Sequence, residues 1–125
     1  MNNETTATVE RRDRVAIIHV VGDVTTFAEE AIQQAYQDAT VVGTRAIILD
    51  FRAADYINSA GIAILIGIVT QARRAGLRIS VTGLSSHFQK IFSMVGLTQY
   101  AGMYPTLEDA LANCAETPKT WPNPL

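Results

Sequence analysis

The chain has 125 residues, 48% of them hydrophobic and 18% charged, the composition of an ordinary globular domain that can form one core without help from disulfides or metals. Ten basic residues against twelve acidic ones give a formal charge of −2; this offers no electrostatic footprint for DNA or RNA, and the lack of basic clusters argues against direct membrane binding. Cys114 is the only cysteine and the apolar run from Ile57 to Val69 is shorter than the roughly 20 residues of a membrane helix, so a disulfide, a thiolate metal cluster and a spanning segment are excluded and, with no signal-like stretch near the N-terminus, a cytoplasmic location is expected.

In chain order, residues 1–6 read as a polar tail and residues 7–116 as one domain. Ala7 to Glu10 is a weak edge-strand pattern, and the β-branched run Val15 to Val21 predicts a strand that stops at Gly22. Thr26-Phe27-Ala28-Glu29 has capping-box spacing and leads Ala28, Ala31, Ile32, Ala35, Tyr36 and Ala39 into a helix ended by Gly43. Ala46 to Phe51 is continuously apolar, as expected of a strand covered on both faces. A helix from Ser59 to Ala75 follows, with Gly76 where a C-terminal glycine belongs, then an alternating strand over Leu77 to Thr82.

Ser86-His87-Phe88-Gln89 is a second capping pattern, opening a helix with Phe88, Ile91, Phe92 and Val95 before Gly96. A short strand near Leu97 to Ala101 and a last helix from Thr106, carrying Leu107, Ala110 and Leu111, complete the domain. Residues 117–125 form a second tail with Pro118, Pro122 and Pro124, in which Trp121 gives a reason to dock. Buried strands alternating with helices predict an α/β domain with a mostly parallel sheet. In such sheets functional groups collect where the C-terminal end of a strand meets a helix N-terminus, which here is Asp50 through Gly61.

Inside that stretch, Asn58 and Ser59 stand at the mouth of the most apolar helix. On a helical wheel Ile62, Leu65, Ile66, Val69 and Ala72 form the core stripe, leaving Ala60, Ala63, Ile64, Gly67, Ile68 and Gln71 on or near a face that is unusually small and apolar for one that meets water. One of the polar pair serves as N-cap. The other is open to two readings. As a nucleophile, Ser59 has Gly61 but lacks the first glycine of a hydrolase elbow, and only His19 or His87 could act as base. As a phosphorylation site, Ser59 lies where a helix N-terminus tolerates added negative charge, while the same charge disrupts a contact made through Ala63, Ile64 and Gly67.

Asp50 with Asp55-Tyr56-Ile57-Asn58-Ser59-Ala60-Gly61, the turn Gly22-Asp23-Val24-Thr25, and Val81-Thr82-Gly83 with Phe88, Phe92, Val95, Gly96 and Leu97 resemble, in that order and spacing, the STAS domain of sulfate transporters and anti-sigma-factor antagonists. The resemblance runs from about Thr8 to Ala115. It implies a STAS-like four- to five-stranded mixed sheet with about four helices packed mainly on one face. It also implies a non-enzymatic regulator without cofactor: the unphosphorylated antagonist binds a serine-kinase anti-sigma factor and frees a sigma factor, the kinase phosphorylates Ser59, and a serine phosphatase restores it.

By position the partner-binding residues would be Asp23, Thr25, Asn58, Ser59, Ala60, Ala63, Ile64 and Gly67. Two residues depart from the family pattern: Asn58 and Thr25 each stand where aspartate is usual. The alternatives are a STAS subunit of a lipid or anion transport complex, or a non-switching scaffold in a signalling assembly. Gly67, costing up to about 1 kcal/mol within a helix, points to close approach of another backbone, for which a homodimer is one reading. His19, Asp55 and Cys114 read as structural, and no metal-ligand spacing is present.

Overall fold

In the computed structural model, residues 5–115 are described; both expected tails, apart from residues 5 and 6, and the docking of Trp121 lie outside them. The elements are β1 (Thr6–Arg12), β2 (Val15–Val24), a 3₁₀ turn (Thr26–Ala28), α1 (Glu29–Ala39), β3 (Ala46–Ile57), α2 (Ser59–Arg74), β4 (Arg78–Thr82), α3 (Ser86–Met94), a second 3₁₀ turn (Leu97–Gln99), β5 (Gly102–Tyr104) and α4 (Leu107–Ala115). Among the described residues, no helix is long and apolar enough to cross a membrane.

The sheet runs β1-β2-β3-β4-β5, so its spatial order is the chain order. β1 is antiparallel to β2, joined through Asp13 and Arg14, and every later pair is parallel. Crossovers of one hand that advance in one direction must all lie on one face of the sheet. Accordingly α1, α2 and α3 share a single core with Ala16, Ile18, Val20, Ile47, Leu49, Phe51, Ile79 and Val81, where Phe51 meets Phe92 edge to face at 6.3 Å. α4 follows the last strand and returns to the opposite face, where Leu107 and Ala110 cover Ile17 and Ile48. The expected mixed sheet of four or five strands with helices mainly on one face is therefore observed, with five strands.

Several local expectations are corrected. β2 does not stop at Gly22. Two register shifts, between His19 and Val21 and between Gly22 and Asp23, let it continue to Val24, with Gly22 at φ 95°. β3 does not stop at Phe51 either: β4 leaves it after Asp50, but pairing with β2 alone carries it on to Ile57 through residues too polar to read as a buried strand. Thr25 caps the 3₁₀ turn that leads into α1, its Oγ1 accepting the Phe27 N–H at 3.3 Å, while α1 itself has Ala28 at its N-cap position and no side-chain cap; α3 is capped by Ser85, whose Oγ accepts the Phe88 N–H at 3.3 Å. Each cap lies one residue before the expected capping box. The last strand comes at Gly102–Tyr104, because Leu97–Gln99 form a 3₁₀ turn under Gly96, and Val95 is exposed rather than in the core.

On the α4 face a polar chain crosses three strands. Asp50, 4% exposed, accepts from the Arg52 backbone N–H at 3.0 Å and faces His19 Nδ1 at 2.8 Å; His19 Nε2 faces Glu10 Oε1 at 2.8 Å, and Glu10 also pairs with Arg12 at 2.7 Å. A carboxylate this buried is stable only with such partners. The hydrogen bond from His19, and secondarily that from Arg12, hold the Glu10 carboxyl below its ordinary value of 4.5. The folded state thus binds fewer protons at Glu10 than the unfolded chain, so this contribution is complete above about pH 4.5 and fades as pH falls through the lowered value.

Replacing His19 by alanine is expected to destabilise the domain by about 2 kcal/mol in urea melts at neutral pH, because it leaves Asp50 short of a partner. Glu10→Gln should lose less stability than the wild type between about pH 6 and about pH 3. An equal loss in both would show that Glu10 does not carry this part of the acid sensitivity.

Candidate functional site

The paired extension of β2 and β3 carries Asp23 opposite Tyr56 and Val24 opposite Ile57. It thereby holds the loop that opens α1 against the residues that open α2. At the junction, Asn58 is extended (φ −96°, ψ −177°) and its N–H donates to the Val24 carbonyl at 3.2 Å. Its Oδ1 accepts the Gly61 N–H at 2.9 Å and its carbonyl accepts the Ile62 N–H at 2.9 Å. One asparagine thus both anchors and caps α2.

Gly61 faces the same carbonyl. A Cβ built there would stand 2.1 Å from Val24 O, a distance no side chain survives. This contact fixes the rotation of α2. With Gly61 turned inward, Leu65, Ile68 and Ala72 follow at helical spacing and are buried, together with Ile62 and Val69. The expected stripe is corrected at one pair: Ile68 belongs to the core and Ile66, 39% exposed, does not.

Ser59 is exposed at the first helical position, and Asn58 performs the cap beside it. Among the other expected site residues, Ala63 and Gly67 are exposed on α2, Ala60 and Ile64 are half-buried, and Asp23 and Thr25 are half-buried in the neighbouring loop. The structure therefore gathers Asp23, Thr25, Asn58, Ser59 and Ala60 at one end of α2 and runs Ala63, Ile64 and Gly67 along it. Among the described residues, the helix's own backbone aside, nothing comes within 4 Å of a Cβ placed on Gly67, so the packing of these residues does not require a glycine there. Gln71, read as part of the outer face, pairs both ways with Gln33 of α1 at 3.1 Å.

Among the described residues no hydrogen bond joins either histidine to Ser59. His19 spends both ring nitrogens on Asp50 and Glu10, and the His87 ring packs against Phe88 with centroids 5.1 Å apart. Two residues with no chemical signature in the sequence also belong to this end of the molecule: Phe27, 93% exposed in the turn capped by Thr25, and Tyr56, half-exposed opposite Asp23. Phe27 sits at the centre of an apparent capping box, a pattern that gives no hint its ring faces water. Cys114 lies half-buried in α4, where burial pushes its thiol above the ordinary range.

A sheet ordered as the chain is ordered, with three crossover helices on one face and a polar cap at the C-terminal end of β3, defines a small class of α/β domains. The chain belongs to the STAS domain family, whose model matches residues 6–110. It is similar to the anti-sigma-F factor antagonist RsfB of Mycobacterium tuberculosis, 23% identical over 106 residues that cover 85% of this chain and 86% of that one. Its fold is that of an anti-sigma factor antagonist from Mycobacterium paratuberculosis (23% identity, 93% and 98% of the two chains, TM-score 0.80). It is also that of the Bacillus cell fate determinant SpoIIAA in the phosphorylated form (21% identity, 87% and 99%, TM-score 0.68).

Two substitutions separate the roles at the junction. Gly61→Ala is expected to cost about 3 kcal/mol, because α2 or β2 must move to admit a methyl group, whereas Asn58→Ala should cost about 1 kcal/mol, the worth of a cap. Chemical denaturation of both variants measures the difference, and equal costs would mean that the close approach at Val24 does not constrain the fold.

Proposed function

We propose that this chain is a protein-binding regulator switched by phosphorylation at Ser59. Unphosphorylated, it binds an anti-sigma factor of the serine-kinase type and so frees a sigma factor. The kinase modifies Ser59 to end the contact, and a serine phosphatase restores it. The observation that carries this reading is the division of labour at the start of α2: Asn58 takes the cap, and Ser59 is left exposed beside an outward row of small residues. The reading also draws on similarity to proteins named as anti-sigma factor antagonists.

The physical basis is local. In the first turn, the backbone N–H groups that Asn58 does not satisfy have no intrahelical acceptor, and the helix dipole favours a dianion there. The usual aspartate at position 58 would set a like charge beside the phosphate; asparagine keeps the cap and removes that repulsion. Folding thus accommodates the modification. A partner packed on Ala63 and Gly67 does not, since it would bury a phosphate against an apolar surface. The absence of any neighbour at Gly67 among the described residues supports close approach from outside, and the exposed ring of Phe27 provides an aromatic anchor of the kind that dominates binding energy.

Incubation with the host's serine-kinase anti-sigma factor and ATP is expected to add one phosphate, which Ser59→Ala abolishes. In titration calorimetry Ser59→Asp should bind that factor about tenfold or more weakly, while Ser59→Ala binds like the wild type. Absence of the phosphate together with unchanged binding by Ser59→Asp would refute the switch.

A further inference from the structure

From about 10 to about 20 Å along α2 from Ser59, by the helical rise, the helix forms one wall of a second feature. It is a groove of about 390 Å³ between the C-terminal half of α2 and the segment that follows α3. Val69 and Leu97, both buried, form its floor, and Ile66, Val95 and Tyr100, each about half-exposed, form its rim. Among the described residues its only charged ones are Arg73 and Arg74. The Arg73 guanidinium lies over the Tyr100 ring, 5.2 Å from its centroid, and its Nη1 is buried with no hydrogen-bond partner among the described residues. Arg73 as a whole is only half-buried, and a carboxylate is the best complement of the N–H groups that its guanidinium still presents.

We propose that this groove docks an acidic amphipathic helix of a partner protein, with one apolar side chain seated between Ile66, Val95 and Tyr100 and a carboxylate on Arg73. Charge complementarity selects the partner, since among the described residues two arginines and no acidic residue line the groove. The shape of the surface selects a segment over a small molecule. The groove opens along α2 into exposed Gly67 and Thr70 and is flanked by Met94, 83% exposed, a strip long enough for helix anchors spaced i, i+4. The proposal does not depend on Ser59, which lies at the other end of the helix.

The test uses the full chain, ¹⁵N-labelled, and two synthetic amphipathic peptides with the same leucine spacing, one bearing glutamates and the other lysines in their place. The acidic peptide is expected to shift the amides of Ile66, Arg73 and Val95 to Tyr100, and to bind about tenfold or more tightly than the basic one. Arg73→Glu should reverse that preference, and Ser59→Asp should leave it unchanged. The proposal is overturned if neither peptide binds, if both bind equally, if the shifts gather at Ser59, or if Arg73→Glu changes nothing. It is overturned equally if sedimentation shows a dimer that Ile66→Asp converts to monomer, for then a second copy of the chain covers the groove.

Discussion

The backbone carbonyl of Val24 is the point on which this molecule turns. It receives the Asn58 N–H, and it lies so near Gly61 that no side chain fits between them. Through this one group the end of β2 fixes where α2 begins, how closely it approaches the sheet and which of its faces turns inward. The row Gly61, Leu65, Ile68 and Ala72 is buried as a result, and everything displayed on the outer face is displayed because of that rotation. A hydrogen bond of ordinary strength, about 1 kcal/mol net, thus has an effect on geometry out of proportion to its energy.

The same rotation gives α2 two different ends. At its start a capped N-terminus meets the loop of Asp23 and Thr25, and the chemistry on offer is that of a helix dipole and exposed backbone donors. Near its finish, Arg73 and Arg74 stand beside an apolar groove, where the chemistry is that of a guanidinium over a ring. Between them lie Ala63 and Gly67, too small to obstruct whatever lies on the helix. Of the two polar residues at its mouth, Asn58 belongs to the architecture and Ser59 does not. Loss of the serine hydroxyl removes no capping bond, whereas loss of the asparagine amide removes the contact to Gly61.

Much of this was legible in the sequence, for physical reasons. The apolar runs of β2, β3 and β4 and the helical spacing of α1 to α4 report burial, and burial is what sequence patterns record best. The pair Asn58-Ser59 announced a cap. What escaped were features set by neighbours rather than by local pattern. The continuation of β3 through Arg52 to Tyr56 exists because β2 remains beside it after β4 has left, and a run of mixed polarity cannot signal that. Ile66 and Ile68 are chemically alike and two residues apart, so only the contact at Gly61 decides which is buried. Phe27 is exposed although its residue type predicts the interior, and the chain of Glu10, His19 and Asp50 joins three strands across gaps of 9 and 31 residues.

The agreement between spatial and chain order in the sheet bears on how the domain assembles. Each strand pairs with the strand just before it in the chain, so no pairing has to wait for a distant segment. Only the β1–β2 turn is a short loop; each parallel pair closes a crossover of about 20 residues, and the entropy lost in closing such a loop grows only slowly with its length. A sheet built in this way can lengthen by one strand at a time while the chain is still being synthesised. The growing edge is exposed only until the next strand covers it, which limits the time that this part of the backbone is open to aggregation.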